Sequence, residues 1–309
     1  GCVLVVFEED GGCMTLRVLD LFAGAGGFTL AGEVAGGYST VAFCEIDKYA
    51  QRVLRANWPG VPVFDDVTKL KGADVGAVDV ITGGFPCQDL SSAGRGAGIG
   101  DGTRSGLFRE MLRLACEVRE ITGRLPYIVF ENVPRLLSGP SEAPGEWFGE
   151  FLWALAEVGY DAEWFCITAA SVGAPHERER VCVVAYANCE YGECGQGKRP
   201  RLRLEEVPEG ANNYSCGSTS GQEAITNPNQ TPIERGGISR RVYAQLADLD
   251  RDFGEWSEWG GGESEICGVD DGVPKGSYAR RNGIMGNAIV PPVFAIVMRA
   301  LREAHEEQD

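Results

Sequence analysis

The chain has 309 residues, 44% of them apolar, which suffices for one large core or two smaller ones. Its 28 Lys+Arg against 45 Asp+Glu give a formal charge of −17. That balance excludes a protein that coats nucleic acid without regard to sequence or rests on an anionic membrane, because both need surplus cations facing phosphate. The 11 cysteines are odd in number, form no C-x-x-C pair and fall mostly in apolar runs such as those around Cys44 and Cys182. They read as reduced, buried thiols in a cytoplasmic setting, not as a secreted disulfide framework. No run approaches ~18 uninterrupted apolar residues, and the start has no basic segment, so neither a membrane span nor a signal peptide is expected.

In chain order, short apolar runs predict strands at Val18–Phe22, Val41–Cys44, Val78–Ile81, Tyr127–Phe130, Phe165–Thr168 and Val181–Ala185. Helical periods fall between them, at Lys48–Ala56, Gly106–Ile121 and Trp147–Val158. The second has Leu107, Met111, Leu114, Ala115 and Val118 on one face. Such alternation predicts an α/β fold with a doubly wound, mostly parallel sheet over residues 15–186. Residues 187–279 are rich in Gly, Asn, Ser, Pro and Glu and hold no period, so a small irregular domain is expected there. Order resumes near Gly286, and Pro292–Glu303 predicts a helix that returns residues 280–309 to the first domain.

Leu19 to Phe28 reads as a strand, a glycine turn and a helix start. The turn is not the dinucleotide fingerprint G-x-G-x-x-G, because Thr29 stands where the last glycine belongs. Acids sit instead at successive strand ends: Asp20, Glu45 and Asp66. Glu45 follows the turn by about 20 residues, the usual place for a carboxylate that grips ribose hydroxyls. Asp66 is suited to an exocyclic amine. A ligand with a ribose, an amine and a positive centre but no phosphate suits these acids, and S-adenosylmethionine is one. A dinucleotide, or a tight turn that holds no ligand, remains open at this point.

Asp79 to Gln88 ends the next strand, and Cys87 stands just outside it after Pro86. Strand C-termini are where doubly wound sheets place their sites. An unassisted thiol is only a few per cent thiolate at neutral pH, so a nucleophilic Cys87 needs a positive or hydrogen-bonding neighbour; a buried inert cysteine is the alternative. The stretch after it carries Gly94, Gly96, Gly98, Gly100 and Gly102 with Arg95 and Arg104, and reads as a mobile lid or an ordinary loop. Glu131 ends the following strand. Arg178 and Arg180 share one face at period 2, as an anion-binding pair or as a surface ladder with Glu177 and Glu179.

Taken together, these segments resemble the C5 cytosine-specific DNA methyltransferases of the bacterial and phage type. The motifs run in the family's order: F-x-G-x-G at Phe22–Gly26, the acid on the second strand, P-C-Q at Pro86–Gln88, E-N-V at Glu131–Val133, R-x-R at Arg178–Arg180, a variable region, then G-N-x-x-x-x-P at Gly286–Pro292. The resemblance covers residues 15–186 and 281–305. His176 departs from it, standing where the family usually has Gln.

The resemblance implies a DNA (cytosine-5-)-methyltransferase that adds Cys87 to C6 of a flipped-out cytosine in duplex DNA. Glu131 would serve N3, Arg178 would hold O2, Arg180 would add positive potential, and Asn132 would support the loop. It implies a cofactor cradle of Phe22, Ala23, Gly24, Gly26, Gly27, Glu45, Ile46, Asp66, Val67, Gly84, Pro86, Asn287 and Ala288. S-adenosylmethionine would leave as S-adenosylhomocysteine. Gln88, Ser91, Arg95 and Arg104 would meet the flanking strand, and residues 187–279 would read the target. Basic clusters there include Arg240 and Arg241; solvated loop charge is the bland reading of each. Cys189, Cys194, Cys216 and Cys267 match no ligand spacing, so no metal is expected. The implied setting is a monomer at the bacterial nucleoid, with a restriction endonuclease as a possible cellular counterpart. Methylation of RNA, or a non-catalytic DNA-binding module on the same fold, stand as alternatives. Residues 88–109 carry a net +1, so the global charge implies weak non-specific DNA binding and reliance on a cognate site.

Overall fold

The structure, a computed structural model, describes residues 15–86, 105–138, 144–172, 178–188, 216–218 and 289–307. The chain alternates β1 (Leu16–Leu21), α1 (Gly27–Ala35), β2 (Tyr38–Cys44), α2 (Lys48–Asn57), β3 (Val63–Phe64), α3 (Gly72–Val75), β4 (Val80–Gly84), α4 (Phe108–Thr122), β5 (Tyr127–Asn132), α5 (Glu146–Glu157), β6 (Tyr160–Thr168) and β7 (Glu179–Ala187). A short strand β8 (Cys216–Ser218) and helix α6 (Pro291–Glu306) follow. The strands join one sheet in the order β3-β2-β1-β4-β5-β7-β6-β8. The first five run parallel; β7 lies antiparallel between β5 and β6. The mostly parallel, doubly wound sheet is as the sequence predicts. Strand order reverses between β1 and β4, so a crevice opens at their C-terminal ends.

Each central strand is covered on both faces, which is why it reads as a nearly continuous apolar run. In β1, Leu16 and Val18 face α1 and α6, whereas Leu19 and Leu21 join the core with α4 and α5. Asp20 interrupts that run and is completely buried. Helix α4 buries Phe108, Met111, Leu114, Ala115 and Val118 and stops at Gly123, whose φ of 77° suits a glycine C-cap. Helix α2 starts at Asp47, whose carboxylate accepts the N–H groups of Tyr49 and Ala50.

Helix α6 lies on α1. Val293, Phe294, Ile296, Val297 and Leu301 are fully buried there, worth about 1.5–3 kcal/mol for each large side chain. Tyr38 Oη donates to the Met298 carbonyl at 2.6 Å, and Arg302 Nη1 donates to the carbonyls of Ala35 and Gly36 at 3.0 and 2.6 Å. A charge at Ile296 would weaken this docking, because it would be buried among apolar side chains.

Two strands escape sequence reasoning. β3 has two residues beside Pro62 and Asp65, too short to show a period. β8 falls in the region expected to be irregular, yet its backbone pairs antiparallel with Glu163–Phe165 at the sheet edge. β6 also starts at Tyr160, ahead of the predicted Phe165, because Asp161 and Glu163 mask its apolar alternation. Helix α4 starts later than predicted, since Ser105–Leu107 form a 3-10 turn.

Candidate active site

The glycine turn links β1 to α1 through backbone that ordinary residues avoid. Phe22, Gly24 and Gly26 have φ of 52°, 55° and 85°. For Phe22 this left-handed conformation costs about 1–3 kcal/mol, a strain that the surrounding structure must hold. A Cβ on Gly26 would lie 2.4 Å from the Trp58 ring, whereas one on Gly24 would meet nothing within 4 Å. The turn is thus packed on one side and open on the other. Ala23 donates to the Cys44 carbonyl at 3.2 Å, tying the turn to β2.

Glu45 ends β2. Its Oε2 accepts the Gly24 N–H at 2.7 Å and its Oε1 accepts the Asp47 N–H at 2.7 Å. It braces the turn as well as facing the crevice, a role its spacing alone did not indicate. Ile46 beside it is 76% exposed. Asp66 accepts from Thr68 N and Oγ1 at 3.0 and 2.7 Å and pairs with Lys69 at 2.9 Å. These bonds, led by the Thr68 hydroxyl, hold its carboxyl down at about 2. Asp66 is therefore committed mainly to its own turn, with Val67 buried behind it. Burial first, then the charges of Glu45, Asp66 and Asp65, push the Cys44 thiol up to about 12, so Cys44 is no nucleophile.

The other half of the site lies at the ends of β4, β5 and β7. Because β7 is antiparallel to β5, its first residues stand beside β5's last ones; Asn132 pairs with Val181 and Glu131 with Cys182. Arg180 Nε thereby reaches Glu131 Oε1 at 2.7 Å, with side-chain exposures of 20% and 9%. Burial nevertheless holds the Glu131 carboxyl above its ordinary range, opposed by Arg180 and Arg178. Arg178 is half-buried, and desolvation together with Arg180 lowers its pKa. Its carbonyl accepts from Ala169 N at 3.0 Å, which fixes the approach to β7.

Gly84 stands under this acid, since a Cβ there would lie 2.8 Å from Glu131 Oε2. Asn132 Nδ2 donates to the Phe85 carbonyl at 3.1 Å, and its Oδ1 accepts the Val133 N–H at 2.9 Å. Phe85 is clasped by Phe108, Phe130 and Phe151, with ring centroids 5.7–6.2 Å away. These contacts anchor the segment that leads through Pro86 to Cys87. The structure thus gathers Phe22, Ala23, Gly24, Gly26, Gly27, Glu45 and Ile46 at one side of the crevice and Gly84, Pro86, Glu131, Asn132, Arg178 and Arg180 at the other. Cys87, Gln88, Ser91, Arg95, Arg104, His176, Arg240, Arg241, Asn287 and Ala288 lie outside the described residues. Among the described residues no cluster of three or more His, Cys, Asp or Glu is arranged to hold a metal ion, and no helix is long and apolar enough to cross a membrane.

A sheet with this strand order, a glycine turn without phosphate chemistry and a buried acid–arginine pair define a methyltransferase-like α/β protein. The family described as C-5 cytosine-specific DNA methylase matches residues 16–236, more than half of the chain, and the chain belongs to that family. Type II methyltransferase M2.BsuMI of Bacillus subtilis is 38% identical over 170 residues, 55% of this chain and 42% of its own length. Type II methyltransferase M.MspI of Moraxella is 31% identical over 181 residues, 59% of this chain and 41% of its own. The chain thus spans about half the length of such relatives. The solved Dnmt2 methyltransferase of S. pombe shares the fold, with a TM-score of 0.53, 20% identity and coverage of 94% of this chain and 99% of that one.

Proposed function

We propose that this chain methylates C5 of cytosine in duplex DNA with S-adenosylmethionine as donor. The observation that carries the reading is Glu131: a buried carboxyl raised by desolvation, bridged to Arg180 and paired with Gly84, three residues before Cys87 in the sequence. The open turn over Gly24, the exposed Ile46 and the acid at Glu45 fit a cationic nucleoside without phosphate. Bound there, that cofactor supplies an electrophilic methyl group.

Cytosine C5 is a poor nucleophile, and the protein's task is to make it a better one. Cys87 thiolate adds to C6, and C5 becomes the end of an enamine. Glu131 gives its proton to N3 as charge builds on the ring. Arg178 donates to O2, and Arg180 holds Glu131 in place. Asn132 keeps the Phe85 carbonyl fixed, two residues before Cys87 in the sequence. Once C5 carries the methyl group, its proton passes to water, Cys87 leaves as thiolate and N3 returns its proton to Glu131, which restores the ring. The chemistry needs C6 and N3 exposed together, so the base leaves the stack. The Type II methyltransferase relatives support a place alongside a restriction endonuclease of the same specificity.

Incubation with S-adenosylmethionine and duplexes containing 5-fluorocytosine tests this. A covalent adduct is expected with wild type and absent with Cys87→Ser, which still binds cofactor. No adduct with any DNA library would sink the reading, and an adduct on RNA alone would move the substrate. Bisulfite sequencing of a methylation-deficient host expressing the chain would give the target site.

A further inference from the structure

The segment between β3 and α3 carries Asp66 and Val67, and it is held from outside. Glu45 N donates to the Phe64 carbonyl at 2.9 Å, so the segment starts beside the acid that ends β2. It then folds back on itself: the amides of Lys69 and Leu70 both donate to the Asp66 carbonyl at 3.1 Å. Val67 and Leu70 are buried. Their carbonyls lie in no strand or helix, and a buried carbonyl must find a donor.

Arg113 of α4 is that donor. Its Nη2 donates to the Val67 and Leu70 carbonyls, each at 2.9 Å. The guanidinium is locked on its own helix as well: Nε donates to Glu110 Oε2 at 2.8 Å and Nη1 to Glu117 Oε1 at 2.6 Å. A pair at i, i+3 or i, i+4 serves a helix surface by itself. Arg113 makes both and turns its remaining nitrogen to a loop 46 and 43 residues away in sequence. The other oxygen of Glu117 accepts the Gly72 N–H at 2.6 Å. Gly72 allows this close approach, since a Cβ there would lie 2.7 Å from Glu117 Cβ. One arginine and one glutamate thus fasten the turn to α4 at Val67, Leu70 and Gly72. The same helix serves the opposite wall of the crevice. Phe108, about 7.5 Å back along the helix axis, packs on Phe85 with ring centroids 5.7 Å apart.

We infer that Arg113 is a positioning residue for the methyl donor: it fixes the Asp66–Leu70 turn beside Glu45, so that the backbone there is ordered before the ligand arrives. The inference rests on the proposed cofactor. Arg113 touches the turn through its carbonyls and acts on the ligand through that turn alone. A turn ordered in advance spares binding the cost of ordering it. Loss of Arg113 therefore weakens the hold on the cofactor and leaves methyl transfer at saturation as it was.

Calorimetric titration of the full chain with S-adenosylhomocysteine, alongside thermal unfolding, tests this. Arg113→Met should raise the dissociation constant about ten-fold and Arg113→Lys about three-fold, since an ammonium keeps the charge but cannot serve two carboxylates and two carbonyls at once. Arg124→Met, which takes a guanidinium from Asp79 at the other end of the sheet, should lower stability without moving affinity. Methylation assays should show the Arg113 loss in the KM for S-adenosylmethionine, with kcat within about two-fold of wild type. Should Arg113→Met not fold, Arg113→Lys decides. Unchanged affinity in the Arg113 variants overturns the inference even where melting is lowered, because the residue then only braces the fold. An equal loss of affinity in Arg124→Met, or a fall in kcat with KM unmoved, overturns it too. If wild type binds no S-adenosylhomocysteine, the proposed cofactor fails first and the role of Arg113 falls with it.

Discussion

Asp20 and Glu131 are both buried acids, near the ends of β1 and β5 on either side of β4, and they are stabilised in different ways. Among the described residues, Asp20 is bonded by the hydroxyls of Thr29 and Thr82 and by no cation. Glu131 has a guanidinium at 2.7 Å and a second close by. Burial raises both carboxyls, but only Glu131 has a full opposite charge to resist it. The contrast teaches that burial can raise two carboxyls in one protein while different partners oppose it, hydroxyls at Asp20 and guanidinium groups at Glu131.

The most direct way to break this comparison is at Arg180. Arg180→Ala leaves Glu131 buried without its partner and should cost about 3 kcal/mol at pH 8 by chemical denaturation. The loss should shrink as pH falls and Glu131 takes up a proton. A pH-independent loss would mean that Glu131 never becomes uncomfortable, and the contrast would fail.

For Asp20 the sign is fixed by the direction of its shift. A carboxyl raised in the folded state leaves folding unaffected below its ordinary range, where both states hold the proton. Stability is then lost as pH rises from about 4 to about 7, because the unfolded chain ionises first. The stability difference between Asp20→Asn and wild type should move in the variant's favour through that window, by on the order of 4 kcal/mol, and stay constant above it. Parallel curves for the two proteins would refute the shift.

Thr82→Val is next. It removes one hydroxyl from a fully buried carboxyl while preserving shape, with an expected cost of about 1–3 kcal/mol at pH 8. The same substitution at Thr40 strips a hydroxyl that meets Thr29 Oγ1 at 2.9 Å, one step removed from the acid, so about 0.5 kcal/mol is expected by the same denaturation. Equal losses at the two positions would show that the hydroxyls act by packing and not by serving the acid.

Much of this was legible beforehand because the signals are local. Apolar runs ending in Gly or an acid marked β1, β2, β4 and β5, and the positions after them are where the site formed. The Glu131 pairing with Arg180 was not legible, since it depends on β7 inserting antiparallel between β5 and β6. Periodicity placed both arginines on one face but could not say what they faced. Asp66 was read as free for ligand, whereas the structure gives its oxygens to Thr68 and Lys69, a local turn that only coordinates reveal. Thr29 did carry a signal. Its presence in place of a glycine separated this turn from the dinucleotide pattern, and the hydroxyl that made the difference is the one bonded to Asp20.

The docking of α6 on α1 has a consequence in time. Arg302 closes the far end of α1, and the Tyr38 bond to Met298 spans 260 residues of sequence. On a ribosome adding about 5–20 residues per second, the turn and its acid emerge some ten to fifty seconds before their cover. During that interval the face of β1 bearing Val18 is open to water and to other nascent chains. Stalled chains ending before residue 289 should therefore be cut by protease within β1–β2, and chains carrying α6 should not.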